Sequence, residues 1–447
     1  MTVNVSEVVD DARFNAFHLR VAMVCGALIF FDGFDLNAVS YAAPEFIKAF
    51  GITRPMIAPV FSAGLLGLAV GALSFGFIAD RIGAKRTFLF CGAMFGIFSI
   101  ATGLSSSLTS LLVWRFFAGL TLGGASPVSV AIASDYVPKQ VRASVTMIMY
   151  ISLALGGIAA GYTFGFASVF GWRTVFWIGG ILPIVLTPLF WALLPEPLVF
   201  LVMQNAPAEQ VRAILTRVNP AHDYSQATSF TVAHENKAGF QPVQLFQDGR
   251  AAITLVLWIV FFTSLIAVYF FNSWLPTLLT GRGLSGKEIV VIATSLQFGG
   301  IVGTLIAASI VVRLAEFLIA GGAYLAAAAA MLVLGNGGTG TVFLASAVLA
   351  VGIFLIGAQS VLNVSCATVY PPSMRGTGVG WGFGVGRIGS VLAPAIAGVL
   401  VAMHWTAGQL FAIAAVPTIA ACLGAFVVLA LMRRQAPATV ATVAARR

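Results

Sequence analysis

Charge is what this 447-residue sequence lacks most. Only 9% of its residues are Asp, Glu, Lys or Arg, against about 25% in an ordinary soluble domain. With 59% hydrophobic residues and a mean hydropathy of +0.99, there is too little polar surface to face water. That excludes a soluble globular fold and leaves lipid as the solvent. Histidine and cysteine are also scarce, four of each. The histidines are scattered, and Cys25, Cys91, Cys366 and Cys422 lie in apolar runs without metal-ligand spacing, so neither a metal site nor a disulfide is expected. No nucleophile–base constellation is legible, which argues against an enzyme; no cofactor is expected either. A cleaved leader is not expected: residues 1–16 are polar, and the apolar run after them is too long for an h-region.

What is present is a succession of apolar runs of about 20 residues, the length of a membrane-spanning helix. A β-barrel would show alternating ten-residue strands instead. The runs predict twelve transmembrane helices near 18–44, 56–79, 86–105, 108–134, 143–167, 172–194, 250–278, 287–312, 315–334, 340–369, 376–402 and 407–433. The expected class is an all-α membrane protein with two six-helix halves. Its expected organisation is an N-terminal segment 1–17, a bundle 18–195, a linker 196–249 with short surface helices at most, a bundle 250–433, and a tail 434–447. The net charge of +9 does not point to nucleic acid, because the basic residues sit in short loops. With both termini inside, Arg13, Arg20, Arg81, Lys85, Arg86, Lys139 and Arg142, the linker and the tail lie on the cytoplasmic side. Only Lys48, Arg54, Arg173, Arg282 and Lys287 lie outside, as the positive-inside rule requires.

The halves repeat weakly at an offset of 233: Pro138 and Arg142 recur as Pro371 and Arg375, Trp172 as Trp405, Gly67 as Gly300. Parallel six-helix halves of this kind place substrate at their interface near the midplane.

Against this apolar background four charged residues stand out. Asp32 and Asp35, at i and i+3, share one face of the first helix. Ionised carboxylates at that depth cost on the order of 3 kcal/mol each, and mutual repulsion adds to the cost. The pair is suited to taking a proton from one side and releasing it to the other; the bland alternative is a structural ion pair. Its repeat positions are Leu265 and Val268, so scaffold symmetry does not demand acids there. Arg115 and Arg387 are intramembrane cations whose repeat positions, Val348 and Ala154, are apolar. Arginine grips carboxylates with two parallel hydrogen bonds. Arg387 lies about 12 residues into its helix, ~18 Å at 1.5 Å per residue, and is the preferred substrate anchor. Arg115 is either a partner of the acidic pair or a structural charge.

Phe34, Tyr150, Asn272, Trp274, Gln297, Asn363 and Trp381 are aromatic or amide candidates for the site, although most such residues in a membrane bundle face lipid or core. The loop Gly76-Phe77-Ile78-Ala79-Asp80-Arg81-Ile82-Gly83-Ala84-Lys85-Arg86 reads as a gate hinge: Gly83 permits a tight turn and the basic residues hold the loop inside.

That loop resembles the Gly-x-x-x-Asp-Arg-x-Gly-x-Lys/Arg-Arg signature of the major facilitator superfamily, and the Arg115–Gly124 segment resembles its fourth-helix motif. Asp32-Gly33-Phe34-Asp35 is similar to the Asp-Gly-aromatic-Asp motif of the aromatic acid:proton symporters, as are residues 370–390, Asn272–Leu278 and Gln297–Gly300. The resemblance covers about 18–433. It implies import of small aromatic carboxylates such as hydroxybenzoates, with protons, by alternating access across a bacterial inner membrane, by a monomer. Asp32 and Asp35 carry over as coupling residues, Arg115 and Arg387 as required cations. Asp135 stands where an acidic residue closes the fourth helix, and Arg142 and Arg375 join Gly76, Asp80, Arg81, Gly83, Lys85 and Arg86 as gate residues. The second loop signature is degraded, with Arg313 at the repeat position of Asp80 and Glu316 after it. Pro127-Val128 replaces the more usual Pro-Asn. An exporter of drugs or metabolites, an importer of non-aromatic acids and a membrane sensor remain as alternatives. The fifth helix reads Gly156-Gly157-Ile158-Ala159-Ala160-Gly161, without the proline that proton antiporters often carry.

Overall fold

The computed structural model describes residues 2–222, 224, 227, 229–232, 242–247, 249–311, 316–370 and 374–435. They are overwhelmingly helical. The sequence-level candidates Arg313 and Pro371 fall outside this set, as does the tail from 436; of Arg375 only the backbone is described.

The chain divides into two compact units. One comprises Met1–Ile52 and Pro59–Asn236, the other Thr53–Ala58 and Lys237–Arg447. The first holds six long helices: α2 (Ala16–Phe50), α3 (Ala58–Ile82), α4 (Ala84–Gly103), α5 (Leu108–Tyr136), α6 (Lys139–Ala167) and α7 (Arg173–Leu193). They follow the short α1 (Val5–Asp10) and precede α8 (Leu198–Met203) and α9 (Ala208–Val218). The second holds α10 (Ala251–Thr280), α11 (Gly286–Val311), α12 (Glu316–Asn336), α13 (Thr341–Val351), α14 (Gly357–Val369), α15 (Arg375–Ala402), α16 (Ala407–Ile413) and α17 (Ala415–Gln435). Among the described residues, eleven helical spans are long and apolar enough to cross a membrane. They comprise every long helix except α2, which carries Asp32 and Asp35 and is itself 35 residues long.

Helix ends follow local chemistry. Asn15 opens α2 by accepting from the amides of Phe17 and His18, while His18 accepts from the amide of Asn15. Such a reciprocal cap satisfies amides that lack a partner in the first turn. Gly51, at φ +63°, closes the same helix, a conformation that glycine adopts without steric cost. Ser107 with Ser110, and Thr406 with Gln409, cap α5 and α16 in the same way.

The packing partners repeat between the units. In the first, α2 packs on α5, α6 and α7, and α4 packs on α5 and α7; in the second, α10 packs on α14, α15 and α17, and α12 on α14 and α17. The second helix of each half meets the fourth through glycine. A Cβ on Gly119 of α5 would collide with the Gly64 carbonyl of α3. Gly352, at the same 233-residue offset, lies against the Leu296 carbonyl of α11. Small residues let helix backbones approach this closely.

Three features depart from the expected outline. The span expected at 340–369 is continuous but passes through a π-helical turn at Gly352–Ile356, and the last span is continuous but carries one non-helical residue, Ala414, between α16 and α17. The N-terminal segment is no simple polar leader: Thr2–Asn4 pairs in parallel with Ser229–Thr231 of the linker. Asn15 also donates to the carbonyls of Arg217 and Val218 at the end of α9. Val5 and Val9 of α1 share a hydrophobic cluster with Leu198, Val211 and Leu215. The first part of the linker thus folds onto the first unit.

Candidate functional site

Within the first unit, α5 receives both acids of α2. Arg115 forks onto Asp35, Nη1 to Oδ1 at 2.7 Å and Nη2 to Oδ2 at 2.6 Å. The two side chains are 3% and 2% exposed. Asp32, one helical turn earlier and also buried, accepts from the Ser126 hydroxyl at 2.8 Å. The i,i+3 spacing puts both carboxyls on the α5-facing side. Gly64 leaves room for the guanidinium: a Cβ there would sit 3.2 Å from Arg115 Nη2. Gly33, between the acids, lets α2 lie against the Leu153 carbonyl of α6, and Gly156 returns the contact at the Phe30 carbonyl. The acid-bearing turn is therefore gripped from two sides.

Phe34 belongs to this packing. It is buried with its ring edge against Gly179 of α7. Tyr150 is exposed on α6.

In the second unit, Arg387 of α15 donates through Nη1 to the Tyr269 hydroxyl of α10 at 2.8 Å. One turn along α10, Asn272 accepts from Gln297 of α11 at 2.7 Å and donates to the Val268 carbonyl. These four side chains form two polar contacts on α10, three residues apart along the helix. Deeper in the same unit, Tyr324 donates to Gln359, and Gln359 to Asn363. Trp274 is fully buried, its indole donating to the Pro394 carbonyl, so its observed contacts join α10 to α15. Trp381 is 43% exposed and stacks on Trp258. Sequence reasoning missed Tyr269; its one signal was a phenol one turn before Asn272 in an apolar run.

At the loop between α3 and α4, Gly83 adopts φ +100°, while Asp80, Arg81 and Arg86 are exposed and Lys85 half-buried; Gly76 makes no close contact. The loop packs on a residue that sequence reasoning passed over, Glu196. A Cβ on Gly83 would strike its carboxyl, and the Lys85 backbone amide hydrogen-bonds to it. Tyr136, at the end of α5, donates to the Glu196 backbone carbonyl. Burial pushes the Glu196 carboxyl above the usual range, opposed by the Lys85 amide bond and by the charges of Arg86 and Lys85. Its position between Pro195 and Pro197 is the only sequence signal it offered. Asp135 is half-buried beside Tyr136. Arg142 pairs with Asp10 of α1 at 2.6 Å and donates to the Val137 carbonyl. Glu316 accepts from Thr368.

Residues 25–394 match the Major Facilitator Superfamily. The chain belongs to that superfamily, and is a membrane transport protein rather than an enzyme. It is 32% identical to the gallate transporter of Pseudomonas putida over 94% of both chains. It is also 32% identical to the 4-hydroxybenzoate transporter PcaK of Acinetobacter baylyi, over 95% of this chain and 94% of that one. The 3-(3-hydroxy-phenyl)propionate transporter of Escherichia coli is 32% identical over 93% and 94%. Among solved structures, the xylose transporter XylE of E. coli matches with a TM-score of 0.68 at 15% identity, covering 94% of this chain and all of that one. A bacterial Spinster homologue matches with a TM-score of 0.66 at 17% identity, over 94% and 96%. These two carry the fold alone.

Proposed function

We propose that the protein imports small aromatic carboxylates with protons, by alternating access, as a twelve-span monomer of a bacterial cytoplasmic membrane with both termini inside. In this reading α2 is the twelfth span. The substrate class rests on relatives named for gallate, 4-hydroxybenzoate, benzoate and 3-(3-hydroxy-phenyl)propionate.

The observation that carries proton coupling is the buried set Asp32, Asp35 and Arg115. Two carboxylates and one guanidinium sum to one negative charge when all are ionised, and to zero once one proton is bound. Removing that charge from low dielectric favours movement of the loaded state. Asp35 is fixed by the fork; Asp32 faces a hydroxyl, which can accept as well as donate, so Asp32 is the proton carrier. Arg387 holds the substrate carboxylate. One proton with one monoanion carries no net charge, so the pH gradient drives that stoichiometry. Each additional proton would draw about 2.3 kcal/mol from a 100 mV potential. Gly83 and the basic loop, with Asp135, Arg142 and Arg375, act in the gate.

The test is uptake of labelled benzoate, 4-hydroxybenzoate and gallate into proteoliposomes under an imposed pH gradient. Accumulation that collapses with the gradient is expected. Accumulation independent of the gradient removes proton coupling, and failure to take up any of the three removes the substrate class.

A further inference from the structure

Arg387 and Tyr269 approach each other on adjoining helices, and the direction of their hydrogen bond has a chemical consequence. A guanidinium has donors only, so the Tyr269 oxygen must be the acceptor of the 2.8 Å contact with Nη1. The phenol's own proton then points elsewhere. A phenol that accepts from a cation is polarised toward being a better donor through that proton. Both side chains are half-buried, not sealed in the interior as Trp274 and Tyr324 are. The remaining guanidinium N–H groups and the phenol O–H, on side chains held 2.8 Å apart, supply two kinds of donor within reach of one anion. An ionised carboxylate oxygen gains roughly twice as much from each such donor as the neutral oxygen of a carboxamide.

The geometry points to Tyr269 as a substrate-binding residue: its hydroxyl donates to the same substrate carboxylate that Arg387 holds. This rests on the reading of the protein as an aromatic carboxylate importer and adds the second donor of the site. The amide relay from Gln297 to Asn272 to the Val268 carbonyl fixes the turn of α10 that carries Tyr269, one residue after Val268.

A simple positioning role would have Tyr269 act only as acceptor, holding Arg387 in place. The two roles respond oppositely to fluorination of the ring, which strengthens the phenol as a donor and weakens it as an acceptor. The experiment measures equilibrium binding of benzoate and 4-hydroxybenzoate to purified full-length protein at pH 6, with benzamide as the neutral control. It compares wild type, Tyr269→Phe and protein carrying 3-fluorotyrosine at 269. A hydrogen bond to a charged group is worth about tenfold or more in affinity. The expected result is that Tyr269→Phe weakens the carboxylates about tenfold or more and benzamide by a smaller factor, and that fluorotyrosine binds the carboxylates more tightly than wild type. Weaker binding with fluorotyrosine, or an unchanged Tyr269→Phe, overturns the assignment while leaving the transport function intact. Wild type that binds neither carboxylate overturns the functional reading itself. Tyr269→Phe removes one oxygen and no packing volume; thermal unfolding of each protein confirms that affinities compare folded states.

Discussion

Replacing Asp35 by Asn puts the buried fork under the most informative stress. In the native protein the Arg115 guanidinium is 3% exposed and both of its terminal nitrogens are committed to Asp35; its Nε has no hydrogen-bond partner among the described residues. Neutralising Asp35 takes away the carboxylate that both terminal nitrogens of the Arg115 guanidinium grip. Removing one partner of a buried pair costs about 3–5 kcal/mol, a large share of the ~5–15 kcal/mol that holds a typical protein folded. Asp35→Asn should therefore lower the unfolding midpoint in detergent sharply and reduce the monodisperse fraction on size-exclusion chromatography. The double substitution Asp35→Leu with Arg115→Met removes both charges, and apolar replacements of buried pairs are often neutral or stabilising. It should recover most of the lost stability while remaining unable to concentrate substrate. An Asp35→Asn protein as stable as wild type would refute the claim that Arg115 depends on Asp35. A double variant that still accumulates substrate would remove the pair from the transport mechanism.

Two further outcomes follow from the same geometry. Gly33→Ala forces a Cβ into the Leu153 backbone carbonyl; a backbone atom cannot move aside as a side chain can, so the variant should lose more stability than Gly64→Ala, whose Cβ meets the end of the Arg115 side chain at 3.2 Å, and thermal unfolding of the two decides it. Glu196 titrates above the ordinary carboxylate range because it is buried, so the folded state favours its neutral form; that stability is present below the usual carboxylate value and lost as pH rises through the raised one. Glu196→Gln should flatten the decline across that window and unfold at a higher temperature than wild type at pH 7, with the difference shrinking toward pH 4; equal profiles would contradict it.

Charge carried most of what the sequence made legible. Asp32, Asp35, Arg115 and Arg387 announce themselves because lipid does not tolerate them without cause, and the i,i+3 spacing already put both acids on one helix face. Which partner each would take was not legible. That Arg115 meets Asp35 and Ser126 meets Asp32 depends on the register of α2 against α5, two helices far apart in the chain. Gly67 and Gly300 were visible as repeat positions, but the π-helical turn at Gly352–Ile356 leaves no periodic trace in an apolar run. Aromatic candidates fared differently from charges because an aromatic residue does not declare its face. Phe34 and Trp274 are taken up by helix packing, while Tyr269, an ordinary tyrosine by sequence, meets Arg387. Glu196 was hidden by its address: at the start of a polar stretch an acid is unremarked until the fold buries it under Gly83.

The central claim is that Asp32 carries the proton that moves with substrate. It is tested most directly in proteoliposomes containing a pH-sensitive dye, to which 4-hydroxybenzoate is added outside without any imposed gradient. Wild type should acidify the lumen as substrate enters. Asp32→Asn keeps an acceptor for Ser126, so it should still exchange labelled for unlabelled substrate but produce no acidification. Acidification by Asp32→Asn at the wild-type rate would contradict the account.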